Sequence, residues 1–253
     1  KYKLYQYSYI LIKYYLIIMI KKIYLKIFLL LLVILSFKII SFLYVYSFLD
    51  ESYIKPKVLK NILNESECKH IIDKVKNKLT LSLVDNYNKK QYKHVLKHRK
   101  SKTAWLDKDD IVVNKLYNYL SKIVNKPINQ FESLQVVKYT QGEYYHYHQD
   151  ATCDFFKKIN NLENYKNQRI YTFLIYLNEE YDGGETHFKN LNKKFKLKRG
   201  DGILFHTLDK DFNKCHINAL HAGLPIKKGE KWICNIWIRE NPINEIKDYN
   251  LKL

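Results

Sequence analysis

Residues 134–150 read LQVVKYTQGEYYHYHQD, and residues 221–238 read HAGLPIKKGEKWICNIWI. Both stretches mix β-branched and aromatic residues with polar ones and are broken by glycine. That pattern predicts short strands joined by tight turns. Working outward, strands are expected at Leu134–Tyr139, Tyr144–Asp150, Ile170–Leu177, Gly202–Phe205 and Trp232–Ile238. Gly183-Gly184 and Gly200-Asp201-Gly202 punctuate them. Many short strands with glycine turns point to a sandwich or jelly roll.

All seven glycines lie at or after Gly142, so the first half of the chain beyond the apolar segment at 27–49 is poor in turn-makers and is expected to be helical. Asn64-Glu65-Ser66-Glu67 fits a capping box before a helix over Cys68 to Leu79. Read this way, Asn64, which also heads an N-x-S sequon, is a cap rather than a glycan site. A second helix is expected over Asp109–Val124, where Ile111, Val112, Leu116, Leu120 and Ile123 share a side. Residues 157–168 are polar and read as an exposed loop.

Residues 27–49 contain one charge, Lys38, and seventeen Leu, Ile, Phe or Val. Twenty-three helical residues reach about 34 Å, enough to cross a hydrocarbon core of about 30 Å. No Ala precedes Ala104, so an A-x-A-like cleavage site is absent. The segment reads as a transmembrane signal anchor. Lys21, Lys22 and Lys26 precede it and Asp50 and Glu51 follow it. The positive-inside rule makes residues 1–26 a basic cytoplasmic tail and places the remainder in a lumen or outside.

The net charge of +19 needs dividing. Residues 1–49 hold seven Lys and no acid, leaving 37 basic and 25 acidic residues beyond them. Lys, Asn, Tyr and Ile are abundant throughout, and no run of five basic residues occurs. The excess is read as compositional, with no nucleic acid expected as a partner. Four Cys without a C-x-x-C exclude a disulfide scaffold and a zinc ribbon. Cys153, Cys215 and Cys234 are open to pairing in a lumen, while Cys68 reads as a buried helical thiol.

His148 and Asp150 fall on one face of a strand, about 7 Å apart along the backbone. An imidazole and a carboxylate so placed can share a metal with a third ligand from elsewhere. Two His and one carboxylate suit a non-haem Fe(II) that must keep positions open. His146 shares the face, but only His148 begins the H-x-D spacing. His187, His206 and His216 read as ordinary loop or core residues.

His221 begins His221-Ala222-Gly223-Leu224-Pro225, and Lys231 stands ten residues later. With His148-x-Asp150, the sequence here resembles the prolyl 4-hydroxylase branch of the Fe(II)- and 2-oxoglutarate-dependent dioxygenases. Gly183-Gly184-Glu185-Thr186-His187-Phe188, Arg169–Leu177 and Lys198-Arg199-Gly200-Asp201-Gly202 resemble further motifs of that branch. The similarity covers about residues 58–240 and implies an α+β, mainly β fold: a double-stranded β-helix, or jelly roll, with supporting N-terminal helices. It implies His148, Asp150 and His221 as iron ligands. It also implies Lys231 on the distal carboxylate of 2-oxoglutarate, with Tyr139 and Thr172 hydrogen-bonded to it. Trp237 would lie near the iron pocket. Tyr147 stands where the family often has Pro, and Leu224 where a Cys is common.

The activity implied is 4-hydroxylation of peptidyl proline, consuming O2 and 2-oxoglutarate, with ascorbate rescuing oxidised iron. The expected partner is a proline-containing peptide or protein. The chain resembles the short plant and algal type, so a protein disulfide isomerase partner is not implied. The expected location is the endoplasmic reticulum or Golgi membrane, single-pass type II, with the catalytic domain lumenal. Competing readings are a related oxygenase acting on another residue and a membrane-tethered, non-catalytic binding module.

Overall fold

The computed structural model describes residues 2–82, 97–153 and 167–243. Most of the polar stretch 157–168 lies outside those residues. The chain divides into two units, Lys1–Glu51 and Ser52–Leu253.

The first unit is one helix, α1 (Tyr2–Glu51). It holds a span, Ile18–Tyr44, long and apolar enough to cross a membrane. That span begins nearer the N-terminus than the expected 27–49 and takes in Lys21, Lys22 and Lys26. Its side chains are exposed all round, from Phe28 and Leu31 to Phe37 and Phe42. A surface helix of a globular domain would show a stripe instead.

The second unit is mostly antiparallel sheet. Its strands in chain order are β1 (Lys57–Leu59), β2 (Thr80–Leu81), β3 (Arg99–Lys100), β4 (Lys102–Leu106), β5 (Leu134–Tyr139) and β6 (Tyr144–His148). Then follow β7 (Arg169–Tyr176), β8 (Tyr181–Gly183), β9 (Thr186–Phe188), β10 (Lys193–Phe195) and β11 (Gly202–His206). The last are β12 (His221–Gly223), β13 (Ile226–Gly229) and β14 (Lys231–Arg239). A seven-stranded sheet has the order β1-β11-β7-β14-β5-β4-β2, and a five-stranded sheet the order β10-β9-β12-β6-β3. β13 and β8 form a two-stranded ribbon.

Two helices cover one face of the large sheet. α2 (Glu65–Val75) starts at the capping box: Asn64 Oδ1 accepts from Glu67 N at 2.9 Å, and Glu67 Oε2 accepts from Asn64 N at 2.9 Å. α3 (Ile111–Val124) is capped by Asp110 and closed by Asn125 in the left-handed region. Cys68, Ile71, Val113, Leu116 and Leu120 from these helices pack on Leu134, Val136, Phe173, Ile175, Cys234 and Ile236. The alternate residues Val137, Tyr139, Leu174, Tyr176, Ile203, Phe205 and Ile233 point to the other face and meet Phe188 of the small sheet. A strand's period of two therefore sorts each strand of the large sheet into a helix-facing set and a set facing the small sheet.

The region before Gly142 is not wholly helical: β1 to β4 lie there. Their partners are distant, with β1 on β11 and β4 on β5. β1 to β3, of two or three residues, carry too little periodicity to be read locally, and β4, of five, has no polar–apolar alternation. Long-range pairing decides them.

Gly200 ties the turn before β11 to α2. Its carbonyl accepts from Ile62 N at 2.8 Å and from Leu63 N at 3.2 Å. It sits at φ +80°, and a Cβ there would lie 1.9 Å from Leu63 O. Gly142 has φ +77° with nothing within 4 Å of a Cβ. Gly142→Ala is therefore expected to cost only the left-handed strain of about 1–2 kcal/mol. Gly200→Ala adds overpacking of about 1–3 kcal/mol. Thermal denaturation of the two variants checks this, and equal shifts would remove the steric argument.

Candidate active site

β6 and β12 are neighbours in the small sheet, and their register sets His221 opposite His148. The two rings lie 4.3 Å apart between centroids. Asp150 follows just past the end of β6. Its Oδ1 is 3.5 Å from His148 Nε2, and its Oδ2 is 3.8 Å from His221 Nε2. One ligand atom from each of the three residues falls within 4.8 Å of the others. Among the described residues this is the one such cluster of three or more His, Cys, Asp or Glu.

The tautomers of both rings follow from backbone carbonyls. His148 Nδ1 is 2.8 Å from His146 O, and His221 Nδ1 is 2.9 Å from Ala219 O. A carbonyl only accepts, so each Nδ1 carries the proton. Each Nε2 then faces Asp150, the ring nitrogen placed to take a metal. His221 is enclosed by Phe188 and Phe205, with centroids at 5.4 and 4.8 Å. Burial, then the neighbouring His148, pulls it down to about 4, so it is neutral at pH 7. Burial pushes Asp150 up, but His221, His148 and Arg169 outweigh it and hold the carboxyl well below the usual carboxylate range. Two imidazoles and one carboxylate converging on one point suit a mononuclear iron ion.

Asp150 is aimed by its neighbours. Thr172 Oγ1 donates to Asp150 Oδ2 at 2.6 Å. Arg169 makes a bidentate pair with Glu132, at 2.6 and 2.8 Å, and Arg239 Nε shares Glu132 Oε1 at 2.8 Å. The Arg169 guanidinium lies 3.8 Å over the Trp237 ring, whose buried Nε1 has no hydrogen-bond partner. On the far side, Tyr145 stacks on His148 at 3.6 Å, and Arg99 lies 4.7 Å over Tyr145. Two ties join the end of β6 to the segment leading into β12: Gln149 Nε2 donates to His216 O at 2.9 Å, and Cys153 is bridged to Cys215. Cys234, which the sequence left open to pairing, is a free buried thiol, as is Cys68.

Lys231 opens β14 on the face turned toward the small sheet, opposite Tyr139. It is 2% exposed, and its Nζ donates to Gly184 O at 2.6 Å. The rings of Tyr139 and Tyr176 stand 5.8 and 5.1 Å from Nζ. Burial pulls the ammonium down to about 7 against the opposing pull of Glu185. The Tyr139 hydroxyl is engaged with Ser101 and Arg99.

The sequence reading placed Thr172 beside Lys231; the structure differs. Thr172 pairs in register with Trp237 and spends its hydroxyl on Asp150, at the metal end. The threonine at the lysine end is Thr186, which is buried, with its Oγ1 2.9 Å from Tyr176 Oη. Its signal was the Gly183-Gly184-x-Thr186 turn, which lies beside Lys231 through Gly184. Arg169 opens one of the resembling stretches, but neither it nor Arg99, Glu132 and Arg239 was given a role.

A two-histidine, one-carboxylate centre on an antiparallel β fold defines the class of mononuclear non-haem iron oxygenases. Residues 134–239 match the family described as the 2OG-Fe(II) oxygenase superfamily. A protein of Acanthamoeba polyphaga mimivirus assigned as a prolyl 4-hydroxylase is 40% identical over 195 residues, which cover 77% of this chain and 78% of that one. Prolyl 4-hydroxylase 2 of Arabidopsis thaliana is 30% identical over 217 residues, covering 76% and 70%. The crystal structure of a viral collagen prolyl hydroxylase from Paramecium Bursaria Chlorella virus-1, a 2OG complex, superposes with a TM-score of 0.57 at 30% identity, covering 73% of this chain and 95% of that one. The chain belongs to the 2OG-Fe(II) oxygenase superfamily, in its prolyl 4-hydroxylase group.

Metal titration of the folded protein with Fe(II) under argon tests the centre. His148→Ala, Asp150→Ala and His221→Ala are each expected to lose more than about 100-fold in affinity, beyond the usual cost of outer contacts. His146→Ala is expected to bind as the parent does. Full affinity in His148→Ala would transfer that ligand position to His146.

Proposed function

We propose that this chain hydroxylates C4 of peptidyl proline, with Fe(II) held by His148, Asp150 and His221 and 2-oxoglutarate anchored at Lys231. One observation carries the reading: three donors converge, with both imidazoles held by their Nδ1 atoms so that each Nε2 faces Asp150. A buried lysine without a carboxylate partner among the described residues lies on the facing sheet. The named relatives are prolyl hydroxylases, which supports proline as the target.

Bound there, Fe(II) and 2-oxoglutarate supply oxygen activation, with succinate and carbon dioxide as co-products. His148 and His221 would present their Nε2 atoms, and Asp150 would supply the charge. Thr172 keeps the Asp150 carboxylate from rotating away. Lys231, with Tyr139 and Thr186 beside it, offers a dry, positive end for a dicarboxylate, where an ion pair is strong. Trp237, stacked under Arg169, gives the metal end a flat wall against which a proline ring can be positioned. Ascorbate serves as the reductant for iron left oxidised by uncoupled turnover.

The finer architecture is read as a double-stranded β-helix, or jelly roll, supported by two facing antiparallel sheets. Residues 1–26 are assigned as a basic cytoplasmic tail, 27–49 as a transmembrane signal anchor and 58–240 as the catalytic domain. The tether and lumenal location, in endoplasmic reticulum or Golgi, draw support from the apolar helix. The Cys153–Cys215 bridge also favours an oxidising compartment.

Incubation with Fe(II), 2-oxoglutarate, ascorbate and a proline-rich peptide is expected to release succinate and add 16 mass units at proline. Succinate without peptide modification would keep the oxygenase and overturn proline as its target. The pH profile tests Lys231. Free Lys231 is charged below about pH 7. Above that pH, binding a dicarboxylate must take up a proton. The KM for 2-oxoglutarate is expected to be flat below about pH 7 and to rise by up to about tenfold per unit above it. Lys231→Arg, charged throughout, is expected to abolish the slope. A slope surviving in that variant would exclude Lys231 as its source.

A further inference from the structure

The neighbourhood of Lys231 contains a polar group that the assignments above leave idle. Tyr181 opens β8 and is 5% exposed. Its hydroxyl is buried and has no hydrogen-bond partner. Phenylalanine would fill the same volume without stranding a donor, and a stranded buried donor is destabilising. The hydroxyl therefore calls for a function.

Its position supplies one. A Cβ built on Gly184 would lie 3.4 Å from Tyr181 Cε2 and 3.3 Å from Lys231 Cδ. The tyrosine ring edge and the lysine stem thus approach the same point over the glycine turn. Lys231 Nζ is itself bonded to Gly184 O. The groups that act electrostatically on the Tyr181 hydroxyl include Tyr176 and Glu185. Tyr176 Oη is bonded to Thr186 Oγ1 at 2.9 Å, and its ring stands 5.1 Å from Lys231 Nζ. Tyr181, Tyr176, Thr186 and Lys231 therefore converge on the turn Gly183-Gly184. Of their polar groups, the Tyr181 hydroxyl is the one left without a protein acceptor. Any side chain at Gly184 would meet Ile226 Cδ1 at 2.3 Å, so the turn stays bare.

We infer that Tyr181 is a further cosubstrate-binding residue whose hydroxyl donates to the distal carboxylate of 2-oxoglutarate, alongside the Lys231 ammonium. The inference rests on the reading of Lys231 given above. A hydrogen bond to a carboxylate is stronger than one between neutral groups.

The test is Tyr181→Phe in the full chain, loaded with Fe(II) and kept free of oxygen. Titration calorimetry with 2-oxoglutarate is expected to show a Kd raised about tenfold. The midpoint of heat denaturation should not fall. In turnover assays KM should rise in step, with kcat at saturating 2-oxoglutarate within about twofold of the parent. Oxalate, which has a chelating end but no distal carboxylate, is expected to bind both forms equally. Lys231→Ala serves as the reference. An unchanged Kd in Tyr181→Phe, with weakened binding in Lys231→Ala, overturns the role of Tyr181 alone. Unchanged binding in both overturns the Lys231 reading and this inference with it. An equal loss for oxalate would move the tyrosine away from the distal carboxylate and sink the assignment.

Discussion

The pairing of β6 with β12 is the constraint on which the rest depends. It sets His148 across from His221, a distance that side-chain packing alone would not fix so narrowly. Two backbone carbonyls, of His146 and Ala219, then choose the tautomer of each ring. Asp150 lies beyond the ladder and needs other supports. Thr172, Arg169 and the bridge at Cys153 supply them from three directions. A ladder positions two ligands, and side chains position the third.

The large sheet turns this local geometry into a site with two ends. Each of its central strands is divided by the pleat. On β14, Trp232, Cys234 and Ile236 belong to the helix side, while Lys231, Ile233 and Trp237 face the small sheet. A slip of one residue would drive the ammonium of Lys231 into the packing of α2 and α3. The apolar core beneath the helices is therefore what keeps the polar groups correctly turned. Stability and chemistry share the same strands, on opposite faces.

Much of this was legible because the informative spacings are short. His148 and Asp150 are two residues apart, so alternation alone groups them, while the ten-residue step from His221 to Lys231 was informative only through the resemblance. The capping box at Asn64 was equally local. What escaped depended on contacts between distant segments. The resemblance set Thr172 beside Lys231, yet a motif match does not say which end of the site a residue serves. Register with Trp237 does, and that is a property of two strands together. The same holds for Glu132, which gathers Arg169 and Arg239 from facing positions on β7 and β14, and for β1 to β4. The cysteines permitted several pairings, and the chain's path between β6 and β12 selected one.

The bridge between Cys153 and Cys215 spans a sequence separation of 62 residues and closes a loop containing β7 to β11. Cys153 lies three residues after Asp150, and Cys215 six before His221. Even in an unfolded but oxidised chain, then, two metal-binding segments remain at high effective concentration. By the loop-closure relation, such a link removes about 4 kcal/mol of freedom from the unfolded ensemble. The covalent bond thus acts as a stored memory of the meeting between Asp150 and His221. An oxidised chain that has lost its fold begins its search with those segments already close, and a reduced one does not.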